Sequence, residues 1–183
     1  MQETQELDLE AIEDPKFYIR AVEFNRQIEF SKSLILELVT KSSQLHHLRF
    51  RPFMVRSQML VYITNLKNQN SKLINLAIVR VYKQIIKNKE EVLVRYLNKI
   101  GMHECIISIY ESNQGKQNML QSLFLDIFSY LQKFPNKKVE KALYDKGKVS
   151  FKKYGSKEKI IMSFLAQAEE DSQKAVQVLA LSA

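Results

Sequence analysis

Lys72-Leu73-Ile74-Asn75-Leu76-Ala77-Ile78-Val79-Arg80-Val81-Tyr82-Lys83-Gln84-Ile85-Ile86-Lys87 is the stretch that decides the fold. Apolar side chains fill positions 73, 74, 76 to 79, 81, 82, 85 and 86. That is too dense for strand alternation and too long for one buried strand, and the stretch lacks Gly and Pro. It reads as a helix buried around most of its circumference. At about 100° per residue, Lys72, Arg80, Lys83 and Lys87 share an arc of about 80°. The narrow stripe left to solvent is therefore basic and holds no carboxylate.

Working outward, Met119–Leu131 has apolar residues at 120, 123, 124, 127, 128 and 131, the spacing of an amphipathic helix. Its other face, Gln121, Ser122, Asp126, Ser129 and Gln132, is nearly uncharged. Between these segments lie two shorter helical patterns, Glu90–Ile100 and Glu104–Glu111.

With 183 residues the chain suits one domain, 15–183, which buries roughly 70% of its unfolded surface. Four Gly and three Pro argue for long helices and short loops. A single cysteine, Cys105, excludes an internal disulfide framework and fits a reducing compartment, cytoplasmic or nuclear. No apolar run approaches the roughly 18 residues of a membrane span. The acidic start is unlike a secretory or mitochondrial targeting segment.

Residues 1–14 carry six of the chain's 20 acids and none of its 28 bases. That leaves 14 acids against 28 bases in the remainder. The first 14 residues read as an acidic tail or as a segment docked on the basic body. The body itself suits an acidic partner, or is simply a solvated basic surface.

In chain order, Asp14-Pro15 opens a helix over Pro15–Phe30. Ser31 or Ser33 is expected to cap a second, through Leu34, Ile35, Leu38, Val39 and Leu45. Pro52 implies a break or a short helix nearby, and Arg56–Leu66 resumes helical spacing. Ser71 caps the next helix. Ser112-Asn113-Gln114-Gly115 signals a turn, and Phe134-Pro135-Asn136 ends the helix after it. A weaker helix, Lys138–Asp145, is expected to run to Gly147. Lys157–Leu181 closes the chain, with a break near Glu170–Ser172. No β-hairpin signal occurs.

These helices fall into units that begin near Leu34, Leu73 and Leu120, spaced 39 and 47 residues apart. The period fits an armadillo or HEAT repeat. The expected fold is an all-α helical-repeat solenoid of about three repeats plus flanking helices, with an irregular helical bundle as the alternative.

Candidate chemical groups are sparse. His46 and His47 are adjacent and point to different helix faces. His103-Glu104-Cys105 offers ligand types at i and i+2, which do not share a face. Cys105 is most simply a small core residue among Met102, Ile106 and Ile109. Glycines at 101, 115, 147 and 155 cannot build a phosphate loop. Tyr62, Tyr82, Tyr96, Tyr110 and Tyr130 are expected at repeat edges with hydroxyls near water. Basic residues beside exposed aromatics would stack single-stranded nucleic acid, but the helical spacing favours core roles. No catalytic, cofactor or metal site emerges, so an enzyme ranks last.

A family resemblance enters on three stretches. Ile35-Leu36-Glu37-Leu38-Val39-Thr40 resembles the Ile-Leu-Glu-Leu-Leu-Thr segment of the SMEK family, regulatory subunit 3 of protein phosphatase 4, and His46-His47 follows at about the spacing of a family His-His pair. Arg80-Val81-Tyr82-Lys83-Gln84-Ile85-Ile86-Lys87-Asn88-Lys89-Glu90-Glu91 is similar to its Arg-Phe-Met-Arg-Lys-Ile-Ile-Gly-Leu-Lys-Asp-Glu, with Arg95-Tyr96 in step. Asn113-Gln114-Gly115-Lys116-Gln117-Asn118-Met119-Leu120-Gln121-Ser122 is similar to its Asn-Gly-x-Arg-Tyr-Asn-Leu-Leu-Asn-Ser turn, and Asp126-Ile127-Phe128 falls where the family has Glu-Leu-Phe. The match is collinear from about Leu34 to Tyr144. Val92-Leu93 replaces a Phe-Tyr pair, and Lys87-Asn88 replaces Gly-Leu.

The resemblance implies an armadillo-like domain that scaffolds a serine/threonine phosphatase complex without chemistry of its own. In family members this domain follows a pleckstrin-homology/EVH-type domain that captures short peptides. The chain looks like the helical part alone, as a fragment or a reduced protein. Its expected partners are proteins, above all a phosphatase catalytic subunit, with nucleic acid as the alternative. Lys72, Arg80, Lys83 and Lys87 are the expected contact stripe, and no cofactor is implied for this chain.

Overall fold

The computed structural model describes residues 15–69 and 71–181. The acidic residues 1–14 lie outside them. Among the described residues there are nine α-helices, one 3-10 turn and no strand. They are α1 (Pro15–Leu45), α2 (His47–Arg56), α3 (Met59–Asn65), which runs into the turn Leu66–Gln69, α4 (Lys72–Lys87), α5 (Glu91–Lys99), α6 (Met102–Asn113), α7 (Met119–Lys133), α8 (Lys137–Gly155) and α9 (Lys159–Leu181).

Helix α4 takes the bounds its sequence gives, and Ser71 caps it by accepting from the Ile74 N–H at 3.4 Å. Ile74, Ile78, Val79, Val81, Tyr82 and Ile85 are wholly buried. Each such side chain contributes about 1.5–3 kcal/mol of burial free energy. That burial needs neighbours on several sides. Helices α1 and α7 flank α4 in one layer; α2–α3, α5–α6 and α8 form a second. Helix α9 packs on both α7 and α8. One core runs from Leu36 to Ala168.

The repeat is written in the cross-helix bonds. Arg51 reaches Glu90 at 3.1 Å, Asn88 reaches Ser43 at 3.0 Å and Cys105 reaches the Thr64 carbonyl at 3.7 Å. Lys83 pairs with Asp126, Lys146 with Glu104 and Lys138 with Glu91. The partners in these six contacts are 39 to 47 residues apart. Each unit therefore lies on the next at nearly constant offset, as a helical-repeat solenoid requires.

Three boundaries differ from the sequence expectation, and at Pro52 the short helix of the two alternatives is the one found. Helix α1 is continuous through Ser31 and Ser33, since Ser33 donates to the Phe30 carbonyl at 2.8 Å inside the helix instead of capping a new one. The short helix expected near Pro52 is α2, which runs through it, between breaks at His46 and at Gln58, which sits at φ 55. The hydrogen bond that Pro52 cannot make would have gone to Leu48, whose exposed surroundings admit water. Helix α9 is unbroken at Glu170–Ser172, where Ser172 donates to the Ala168 carbonyl at 2.8 Å.

The third is α8, which passes straight through Gly147 to Gly155. A Cβ at Gly147 would lie 2.4 Å from the Phe151 ring and 3.1 Å from Ile107. The glycine lets α8 close on α6, so it marks a close approach and not a helix end. Phe151 then stacks edge-on against Tyr110 and Phe128, both at 5.1 Å between centroids. Gly115, in the turn after α6, stands at φ 68, and a Cβ there would meet the Tyr154 carbonyl oxygen at 2.8 Å.

Truncating Phe151 to Ala removes the ring shared by three helices. We expect urea denaturation to show a loss of about 3–5 kcal/mol.

Candidate partner-binding surface

The four cations of α4 face the layer that α4 shares with α7. Lys72 is exposed at the first turn. The Arg80 guanidinium contacts the Met119 sulfur at 3.7 Å. The Lys83 ammonium pairs with Asp126, and the lysine side chain keeps only 19% of its exposure. The Lys87 ammonium lies 5.6 Å from the centre of the Tyr130 ring, whose hydroxyl donates to the Lys87 carbonyl at 3.4 Å. Met119, Asp126 and Tyr130 stand at i, i+7 and i+11 on one face of α7. The stripe is thus brought together as the sequence implies, but a carboxylate from the next unit neutralises its centre.

The sequence did not show the rest of this edge. Lys89, at φ 54, holds its ammonium 4.4 Å from the centre of the Phe134 ring. Tyr130 and Phe134 stack at 5.1 Å. Two exposed lysines and two aromatic rings therefore meet where α4 and α7 end. The missed signal is the offset itself: Lys83 and Asp126, and likewise Lys87 and Tyr130, are 43 residues apart.

Gln121 is buried, not on an open polar face. Asn113 donates to the Lys116 carbonyl at 3.1 Å and to the Gln121 side chain at 3.4 Å. Asn118 donates to Asn113 at 2.6 Å and caps α7 by accepting from the Gln121 N–H at 3.0 Å. These amides fasten the turn before α7. Beside them an open cleft of about 440 Å³ is lined by Gln117, Asn118, Gln121, Ser122, Leu125 and Glu158.

Two tyrosines expected at the edges are wholly buried. The Tyr82 hydroxyl shares a 2.7 Å hydrogen bond with His103 Nδ1. Tyr110 packs against Phe124 and Phe151. Burial, helped by the Lys146 charge and opposed by Glu104, lowers the His103 pKa to about 4. Burial also raises the Cys105 thiol to about 11, against the pull of Lys67. His103 is a neutral core residue, and Cys105 packs in the core as its neighbours in sequence imply. Among the described residues no cluster of three metal-ligating side chains occurs.

A profile of the family described as Phosphatase 4 regulatory subunit 3 matches residues 9–170. The chain belongs to this family. Protein PPP4R3C1 of Mus musculus is 24% identical over 99 residues, 54% of this chain and 12% of that protein. Serine/threonine-protein phosphatase 4 regulatory subunit 3 of Drosophila melanogaster is 21% identical over 99 residues, 54% of this chain and 10% of that protein. The aligned stretch is thus about a tenth of the length of these curated relatives of the regulatory subunit 3 family. No solved structure matches the chain.

The buried histidine sets a pH dependence. The unfolded chain protonates His103 below its ordinary 6.5, and the folded chain only below about 4. Protonation therefore draws the chain toward the unfolded state across that window. Lowering pH from 6.5 to 4 should cost about 3 kcal/mol from this group, at about 1.36 kcal/mol per pH unit. Urea denaturation across that range measures it, and His103→Leu should flatten the slope.

Proposed function

We propose that this chain is a non-catalytic scaffold of a serine/threonine phosphatase complex, working in the cytoplasm, the nucleus or both. The observation that carries this reading is the match to the phosphatase 4 regulatory subunit 3 family over residues 9–170. The partner is the phosphatase catalytic subunit, which brings its own metals. The scaffold holds that subunit beside a client and raises their effective concentration. Its residues then need shape and charge but no reacting group, which fits a His103 and a Cys105 locked in the core.

The proposed contact remains the stripe Lys72, Arg80, Lys83 and Lys87. Three of the four carry the net charge outward, because Asp126 already answers Lys83. Affinity purification followed by mass spectrometry tests the complex: recovery of a phosphatase catalytic subunit supports it, and repeated absence defeats it. Reversing Lys72, Arg80 and Lys87 to Glu should weaken capture of that subunit by about tenfold or more, or about 1.4 kcal/mol. Circular dichroism should stay unchanged. Unaltered pull-down would remove the stripe from the interface.

The lysine–aromatic cluster of Lys87, Lys89, Tyr130 and Phe134 supports a second reading, single-stranded nucleic acid. Such binding would weaken steeply with salt. An absence of RNA or DNA retardation at low salt dismisses it.

A further inference from the structure

In a solenoid each helix covers its neighbour, and the terminal helix needs a polar outer face. Helix α1 lacks one. Its inner side, with Ala21, Leu36 and Val39, is buried in the stack. On its outer side Ile19, Phe30, Leu34 and Leu45 are 50 to 70% exposed. At about 100° per residue these four, with the exposed Lys16, Glu23, Gln27, Glu37 and Lys41, share an arc of about 80° opposite the buried side. The stripe recurs at steps of 11 residues, as 19, 30, 41 and as 23, 34, 45, so it drifts only about 20° per step and stays straight along the helix.

The stripe also reads alike from both ends. Phe30 and Leu34 lie two residues either side of their midpoint. Glu23 and Lys41 lie nine residues either side, and Ile19 and Leu45 lie 13. Two such helices laid antiparallel about that midpoint set Phe30 against Leu34, Ile19 against Leu45, Glu23 against Lys41 and Gln27 against Glu37. Each of these four apolar side chains meets an apolar one, Glu23 meets Lys41, and Glu37 meets the Gln27 amide, each twice. That is the self-complementarity an isologous two-fold contact requires.

We propose that the outer face of α1 is the interface between two copies of this chain, packed antiparallel about a two-fold axis between Phe30 and Leu34. The second copy supplies a covering layer that no other helix among the described residues provides on this side. The proposal does not depend on the phosphatase link.

Sedimentation velocity on the full chain tests it. The expected particle is twice the 21.5 kDa of one chain. Phe30→Glu with Leu34→Glu should give a monomer with unchanged circular dichroism, because both positions are already exposed. Glu23→Lys alone sets two lysines together at each end and should raise the dimer Kd by about tenfold or more, roughly 1.4 kcal/mol. The swap of Glu23→Lys with Lys41→Glu should restore it, which a contact with any other partner would not do. A monomer at about 100 µM, far above a micromolar Kd, overturns the proposal and leaves the face to another occupant. So does a dimer indifferent to the Phe30 and Leu34 changes, or a swap that fails to rescue.

Discussion

Helix α4 must be covered around most of its circumference, and the rest of the chain is placed by that requirement. Its inward side takes the second layer, through contacts such as Tyr82 with His103. Its flanks take α1 and α7, which makes a row of three helices the smallest arrangement that satisfies it. The same requirement then passes to the flanking helices. Helix α9, with the Phe151 ring of α8, answers it for α7. For α1, nothing among the described residues answers it on the outer side, and the exposed apolar stripe there is the direct result.

Charge plays a different part from burial. The cross-unit pairs Lys83–Asp126, Lys138–Glu91 and Lys146–Glu104 all lie in partly or fully open surroundings. Exposed pairs of this kind are worth about 0–1 kcal/mol each, small beside one buried isoleucine of α4. Their effect is on which surface stays charged. Asp126 divides the basic edge of α4, so the positive field is strongest at its ends, near Lys72 and around Lys87 and Lys89.

Elements specified by local chemistry were legible in the sequence. The apolar density of residues 72–87, the Ser71 cap and the turn at Asn113–Gly115 all stand where the residues imply. Features that depend on distant packing were not. Ser33 reads as a cap until the helix around it is seen to be continuous. Gly147 reads as a terminator until Ile107 and Phe151 are found pressed against it. The surface follows the same division. The shared arc of Lys72, Arg80, Lys83 and Lys87 follows from helical geometry, but Asp126 and Phe134 arrive from another unit. Tyr82 needed the histidine 21 residues later to explain how its hydroxyl could be buried.

The near-constant offset between α4 and α7 bears on how such a chain can change in length. Met119, Asp126 and Tyr130 meet Arg80, Lys83 and Lys87 like teeth of two racks. One residue inserted early in α7 would advance the following part by about 1.5 Å and turn it by about 100°. Leu125 would then stand where Asp126 now faces Lys83, and the phenylalanines of the core would rotate out of place. An inserted residue is therefore tolerated at joints such as 114–118, 134–136 and 156–158, and costs the packing of a whole helix when it falls within one.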